Sequence, residues 1–226
     1  STEDFDAEKF LEIKSDDTID KQLAGSAIPT INVTNLRYSN SAFNTYEKCP
    51  LAFKFERVWN AKSSSVDPFA KGNHMYIGSV FHAVVERAAD PNELNSKHDH
   101  AKLVEVLEEE WDSKQFLYSP KKEEEAFETV KKLLEAYQEW SDSNPNEVIG
   151  VEVNFSMKIG GKIVIGYIDR LERTPEGKYH VVDYKTGDPK EVDAENDRQL
   201  NLYAEACRRN CLTGIKLEGD TLPEQA

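Results

Sequence analysis

Three residues have types and spacing suited to chemistry: Asp169, and the pair Asp183 and Lys185. In a strand successive side chains alternate faces, so Asp183 and Lys185 point the same way while Tyr184 points opposite. The turn signal Thr174-Pro175-Glu176-Gly177 predicts a hairpin that brings Asp169 alongside Asp183. Two neighbouring carboxylates at strand ends repel each other and lose solvation. That serves a sheet badly and holds a hard divalent cation well.

Such a set contains what phosphodiester hydrolysis needs: a water made nucleophilic, neutralisation of the crowded phosphate, and in-line geometry. Magnesium on Asp169 and Asp183 would supply Lewis acidity and a lower-pKa water, while the Lys185 ammonium would position that water and stabilise developing charge. Taken alone, Asp183-Tyr184-Lys185 has an ordinary alternative, a surface ion pair at a strand end. Further residues shift the balance. His82 and Glu86 lie four apart on a predicted helix and share a face, so His82 could approach the ion with Glu86 orienting it. Glu86 reads equally as a helix-surface charge. Gln199 and Tyr203 repeat the spacing on a later helix, where an amide and a phenol could touch a nucleic-acid backbone or brace the site. Glu152 begins a strand and could reach the ion, an exposed strand carboxylate being the simpler reading. Arg170 could pair with a carboxylate or with phosphate, and both options stay open. His98 and His100 alternate in a Lys- and Asp-rich stretch that does not suit a metal, and Cys49 reads as a small buried residue.

The elements that must position these residues follow from periodicity. A helix is predicted to open near Ser39 or Ser41, to carry Phe43 and Tyr46 on one face, and to halt before Cys49-Pro50, because a residue preceding proline resists the helical region. A short helical piece with Phe53, Phe55 and Trp59 follows, and residues 60–74 read as loop. Ile77, Val80, Phe81, Val84 and Val85 then recur at helical spacing through Gly78 to Ala89, marking a mostly buried helix. Amphipathic helices are predicted at roughly 99–116 and 121–141. From Val148 the period falls to two, with Gly160-Gly161 as a tight turn between two strands, and a last helix is predicted at about 194–209. The sum is an α/β chain with a central mixed sheet flanked by helices and a helical N-terminal half. Residues 1–30, ending in the linker-like Ala24-Gly25-Ser26-Ala27-Ile28-Pro29, are expected to form an acidic flexible tail, with one domain over 31–226.

Composition sets bounds. The chain has 226 residues, 38% of them apolar, which suffices for one sizeable core. No run approaches the ~20 apolar residues of a spanning helix and the N-terminus lacks a signal-peptide layout, so a soluble intracellular protein without a membrane partner is expected. Three widely spread Cys do not make a disulfide framework. The net charge of -14 is awkward for gripping a polyanion, which draws on clustered Lys and Arg. Either another domain or subunit supplies that grip, or the acidic residues sit on solvated faces away from the site.

The ordered series Tyr46-Glu47-Lys48-Cys49-Pro50, Gly78-Ser79-Val80-Phe81-His82 with Glu86, Gly166-Tyr167-Ile168-Asp169-Arg170, Asp183-Tyr184-Lys185-Thr186-Gly187, and Gln199 with Tyr203 resembles the RecB-type branch of the PD-(D/E)xK nuclease superfamily, over about residues 36–205. The resemblance implies a restriction-endonuclease-like core and a DNA nuclease dependent on Mg2+ or Mn2+. It further implies an exonuclease of DNA repair or recombination, acting as the nuclease module of a helicase-nuclease. By the same resemblance His82, Asp169, Asp183 and the Tyr184 main-chain carbonyl are the metal ligands, Lys185 is the catalytic lysine, and Gln199 and Tyr203 are the QxxxY pair. Similar modules occur with superfamily 1 helicases, in RecB and AddAB subunits, and in CRISPR adaptation nucleases. Several relatives hold an iron–sulfur cluster through four Cys, whereas Cys49, Cys207 and Cys211 fall one short, so no cluster is expected. The chain also stops at Ala226, where relatives continue with another strand, which reads as a domain cut short at its C-terminus. Two alternatives remain: a CRISPR adaptation-type nuclease, and a nuclease-fold module that binds DNA ends or a partner without cutting. Intact Asp169, Asp183 and Lys185 argue against the second.

Overall fold

A computed structural model describes residues 36–60, 73–90, 100–116, 119–187 and 197–218, with 224–225 as backbone. The expected tail and linker, His98, and the first residues of the predicted last helix lie outside the described residues. By its contacts the chain divides into two compact units, Ser1–Ser63 with Ser156–Gly166 and Ser64–Phe155 with Tyr167–Ala226.

The first unit contains β1 (Arg37–Tyr38), α1 (Asn40–Lys48), α2 (Pro50–Phe53) and a π turn at Lys54–Val58. Ser39 opens α1 by accepting the Ala42 N–H on its hydroxyl at 3.3 Å. Proline at 50 forces the predicted stop, and Cys49 is extended at φ -161°. Its sulfur then accepts the Ala52 N–H at 3.4 Å and caps α2. Cys49 is therefore an exposed cap and not the buried residue expected. Tyr38 stacks on Phe43 and Phe53 with centroids 6.0 and 6.2 Å away, a small aromatic core. The unit also holds the tip of a long hairpin formed by β2 (Glu147–Ile159) and β3 (Lys162–Arg173). Gly160 and Gly161, at φ 53° and 76°, make its turn, and β1 runs parallel to β3 with Tyr38 opposite Val164.

The second unit contains α3 (Asn73–Ala89), α4 (His100–Glu110), a 3-10 turn at Ser113–Phe116, α5 (Pro120–Ser143), the open end of the β2–β3 hairpin, β4 (Tyr179–Val182), α6 (Arg198–Arg208) and β5 (Glu224–Gln225). Helices α3, α4 and α5 bury their apolar faces on one another, with Val84, Leu107, Val130 and Leu134 fully enclosed. Arg87 of α3 donates to Glu109 and Glu110 of α4, each at 2.9 Å. The predicted helix reaching 116 breaks after Glu110. There the Asp112 N–H donates to the Tyr76 hydroxyl at 2.6 Å and the Asp112 carboxylate accepts the Lys114 N–H at 3.1 Å, local bonds that replace the helical ladder.

The sheet is mixed: β3 pairs antiparallel with β4, in a register from Arg173 opposite Tyr179 to Arg170 opposite Val182, and β4 pairs parallel with β5. A short strand thus follows the QxxxY helix. The predicted strand through Lys185 ends at Val182. On β3 the buried Arg170 forms an ion pair with Glu172 at 2.6 Å, donates to the Tyr137 hydroxyl at 3.2 Å, and lies over the Trp140 ring, 5.0 Å from its centroid. A guanidinium enclosed this way has no surface to offer a phosphate, so of the two partners left open for Arg170 the structure shows the carboxylate. No helix among the described residues is long and apolar enough to cross a membrane.

Candidate metal centre

The β3–β4 register sets the site. One step beyond the last pair, Asp169 follows Arg170 outward as Asp183 follows Val182, so the two residues come level where β4 ends and β3 continues. Here side-chain bonds replace the ladder. The Tyr184 N–H donates to Asp169 Oδ2 at 2.9 Å, which explains why β4 stops before Asp183.

Helix α3 delivers His82. Its Nδ1 lies 3.6 Å from Asp169 Oδ2, and its Nε2 lies 3.1 Å from the Tyr184 carbonyl oxygen. One ring nitrogen of His82 therefore lies beside a carboxylate oxygen and the other beside a main-chain carbonyl oxygen. Gly78, one turn earlier on α3, lets the 183–187 segment approach: a Cβ there would meet Thr186 Oγ1 at 3.0 Å.

Strand β2 adds Glu152, for which the sequence offered reach to the ion as the less simple of two readings. Donor atoms of His82, Glu152 and Asp169 all lie within 4.8 Å of one another, so the carboxylate read as an ordinary exposed strand residue joins the group. Glu152 sits at φ 44°, a left-handed conformation that interrupts the pleat of β2 and redirects its side chain. Gly150 was the available signal, since glycine inside a strand often marks a bulge or a close approach. A Cβ on Gly150 would fall 2.9 Å from Ile215 and Val153 side-chain carbons.

The charges at this point are under strain. Burial, then the charges of Asp169 and Glu86, push the Glu152 carboxyl up to about 7. Asp169 is also raised, by burial first and by Asp183, against the opposing Tyr184 N–H bond. Two carboxylates held together where charge is disfavoured, beside an imidazole nitrogen, match the oxygen and nitrogen donors that a hard divalent cation takes. The donor set therefore fits such an ion. The charge of Glu86 also bears on Glu152 and helps to raise it.

Asp183 is engaged differently. Its Oδ1 accepts from Gln199 Nε2 at 2.8 Å and from the Tyr203 hydroxyl at 3.4 Å, while Oδ2 forms an ion pair with Lys185. The Gln199 carbonyl oxygen accepts from the Lys185 ammonium at 3.3 Å, and its amide also donates to Tyr203. Of the two readings for Gln199 and Tyr203, bracing the site is the one these contacts support. Burial keeps the Tyr203 phenol well above its usual range, so it stays a neutral donor. Asp197 positions the pair by capping α6, its carboxylate accepting the Gln199 and Leu200 N–H groups at 2.7 and 3.0 Å. The Asp183 side chain is 8% exposed and Lys185 62%, so the carboxylate is fixed within the fold while the ammonium reaches solvent.

The family model described as the PD-(D/E)XK nuclease superfamily matches residues 37–219. The Gene 69 protein of Mycobacterium phage D29 is 28% identical over 193 residues, covering 74% of this chain and 66% of that protein, so the match spans a little under two thirds of the phage protein. With carboxylates, lysine and histidine converging where β4 ends, and a match over most of its length, this chain belongs to the PD-(D/E)XK nuclease superfamily.

Proposed function

We propose that the chain hydrolyses DNA phosphodiesters with Mg2+ or Mn2+, acting as an exonuclease of repair or recombination on strands delivered by a helicase. The observation that carries the reading is the meeting of two arrangements where β4 ends. One is the His82, Glu152 and Asp169 donor group; the other is the Lys185 ammonium anchored by Asp183 and Gln199. His82, Glu152, Asp169, Asp183 and the Tyr184 carbonyl would hold the ion, which when bound supplies Lewis acidity and lowers the pKa of a water.

The remaining work belongs to the chain. Asp183 and Gln199 restrain the Lys185 head at two points, so its remaining N–H directions are aimed and not averaged over rotamers. From there the ammonium orients the attacking water and meets the negative charge that builds on the phosphate oxygens. The neutral Gln199 and Tyr203 donors hold Asp183 without cancelling its charge. Exonucleolytic action and helicase delivery rest on the RecB-type motif order.

The direct test is Lys185→Ala. Cleavage of labelled DNA is expected to fall at least about a hundred-fold, the scale of losing one charge-stabilising donor, with folding and metal binding kept. Undiminished cleavage would overturn the assignment.

A further inference from the structure

The described part of the first unit carries the opposite charge from the chain as a whole. Residues 36–60 and 156–166 hold six Lys or Arg (Arg37, Lys48, Lys54, Arg57, Lys158 and Lys162) against two Glu, in a chain of net charge -14. On the same unit Leu51 is 56% and Phe55 42% exposed, and the half-buried Trp59 follows at the same spacing of four along the run from Pro50 through the π turn. Phe55 and Trp59 meet edge to face with centroids 4.8 Å apart.

The π turn explains how cation and ring come together. The Trp59 N–H donates to the Lys54 carbonyl at 2.9 Å, a five-residue spacing that swings the Lys54 ammonium over the Trp59 ring, 5.2 Å from its centroid. Single π turns of this kind concentrate at functional sites. Arg57, on the same turn, is exposed and donates to the neutral Ser41 hydroxyl at 3.4 Å. Aromatic faces need unstacked bases and cations need phosphates; a duplex would use the charges and leave the rings idle. A single strand rewards both at once.

We propose that this turn is a binding surface for single-stranded DNA, with Phe55 and Trp59 stacking on bases while Lys54 and Arg57 engage phosphates. It deepens the nuclease reading, on which it rests for the choice of DNA, and it places part of the grip on the polyanion within this chain.

The test is the affinity of the full chain for a labelled single-stranded DNA of about twenty bases, read by fluorescence anisotropy in EDTA so that nothing is cut. Phe55→Ala with Trp59→Ala is expected to weaken binding roughly ten-fold or more. Lys54→Gln with Arg57→Gln, at side chains outside the aromatic core, should weaken it too and flatten the dependence of log affinity on log salt by roughly 1.4. Parent-like affinity and salt dependence in both variants would overturn the surface. So would binding of the parent to anionic phospholipid vesicles in place of the oligonucleotide. Cleavage separates the two readings. If Lys185→Ala cuts like the parent, the nuclease reading fails while weakened binding in the turn variants still supports the surface; if Lys185→Ala is inert and the turn variants bind normally, the surface alone fails.

Discussion

Gln199 touches Asp183, Lys185 and Tyr203 through one amide, so its loss should cost catalysis more than stability. Gln199→Ala is expected to lower the cleavage rate roughly ten-fold or more, with the melting temperature close to the parent's, as for a residue acting through geometry. An unchanged rate would show that Lys185 needs no such anchor. Glu152→Gln keeps shape and removes charge, and should weaken magnesium binding by roughly ten- to a hundred-fold in calorimetry. Unchanged affinity would take Glu152 out of the metal group. Asp169, Asp183, Lys185, His82, Gln199 and Tyr203 were legible in the sequence by type and order, and the structure brings them together. Glu152 could be read as reaching the ion, but an exposed strand carboxylate was the simpler reading, because its φ of 44° is a local backbone fact that no propensity of glutamate announces. Arg170 stayed ambiguous for the opposite reason: its type suits phosphate, and only tertiary burial shows that it serves Glu172 instead.

Strand β3 carries a buried ion pair as well as Asp169. Burial alone would raise the Glu172 carboxyl, but bonds from His180 and Asn146, the Arg170 charge and a bond from Asn144 outweigh it and hold the group at about 2. Since the folded carboxyl titrates below its ordinary 4.5, its stabilisation is complete above that pH and is lost as pH falls toward 2. Glu172→Gln strands a buried guanidinium and should cost about 3–5 kcal/mol in urea unfolding at neutral pH, with a shallower acid-side loss than the parent. A variant as stable as the parent would mean that Arg170 finds other partners. The helices α3, α4 and α5 were readable because apolar periodicity and burial coincide in them. Their ends were less so: α4 stops where Asp112 meets Tyr76, and β4 stops where Asp169 captures the Tyr184 N–H. Both are contacts between residues far apart in sequence, beyond the reach of a local pattern.

Across the whole chain the net charge of -14 is unevenly spread, and the unevenness has two consequences. The crowded carboxylates of the second unit should be relieved by a divalent ion. Magnesium at a hundred times its Kd is expected to add about 2.7 kcal/mol to stability, seen as a raised Tm that Asp169→Asn abolishes. The excess of basic residues in the described part of the first unit, invisible in the total, needed the fold's division before it could be recognised. The central claim, a metal-dependent nuclease centre, is tested most directly by titrating magnesium and manganese against the full chain with end-labelled single- and double-stranded DNA. Products should appear as metal is added, shorten from the ends, and stop with EDTA. No product at any concentration of either ion would contradict the account.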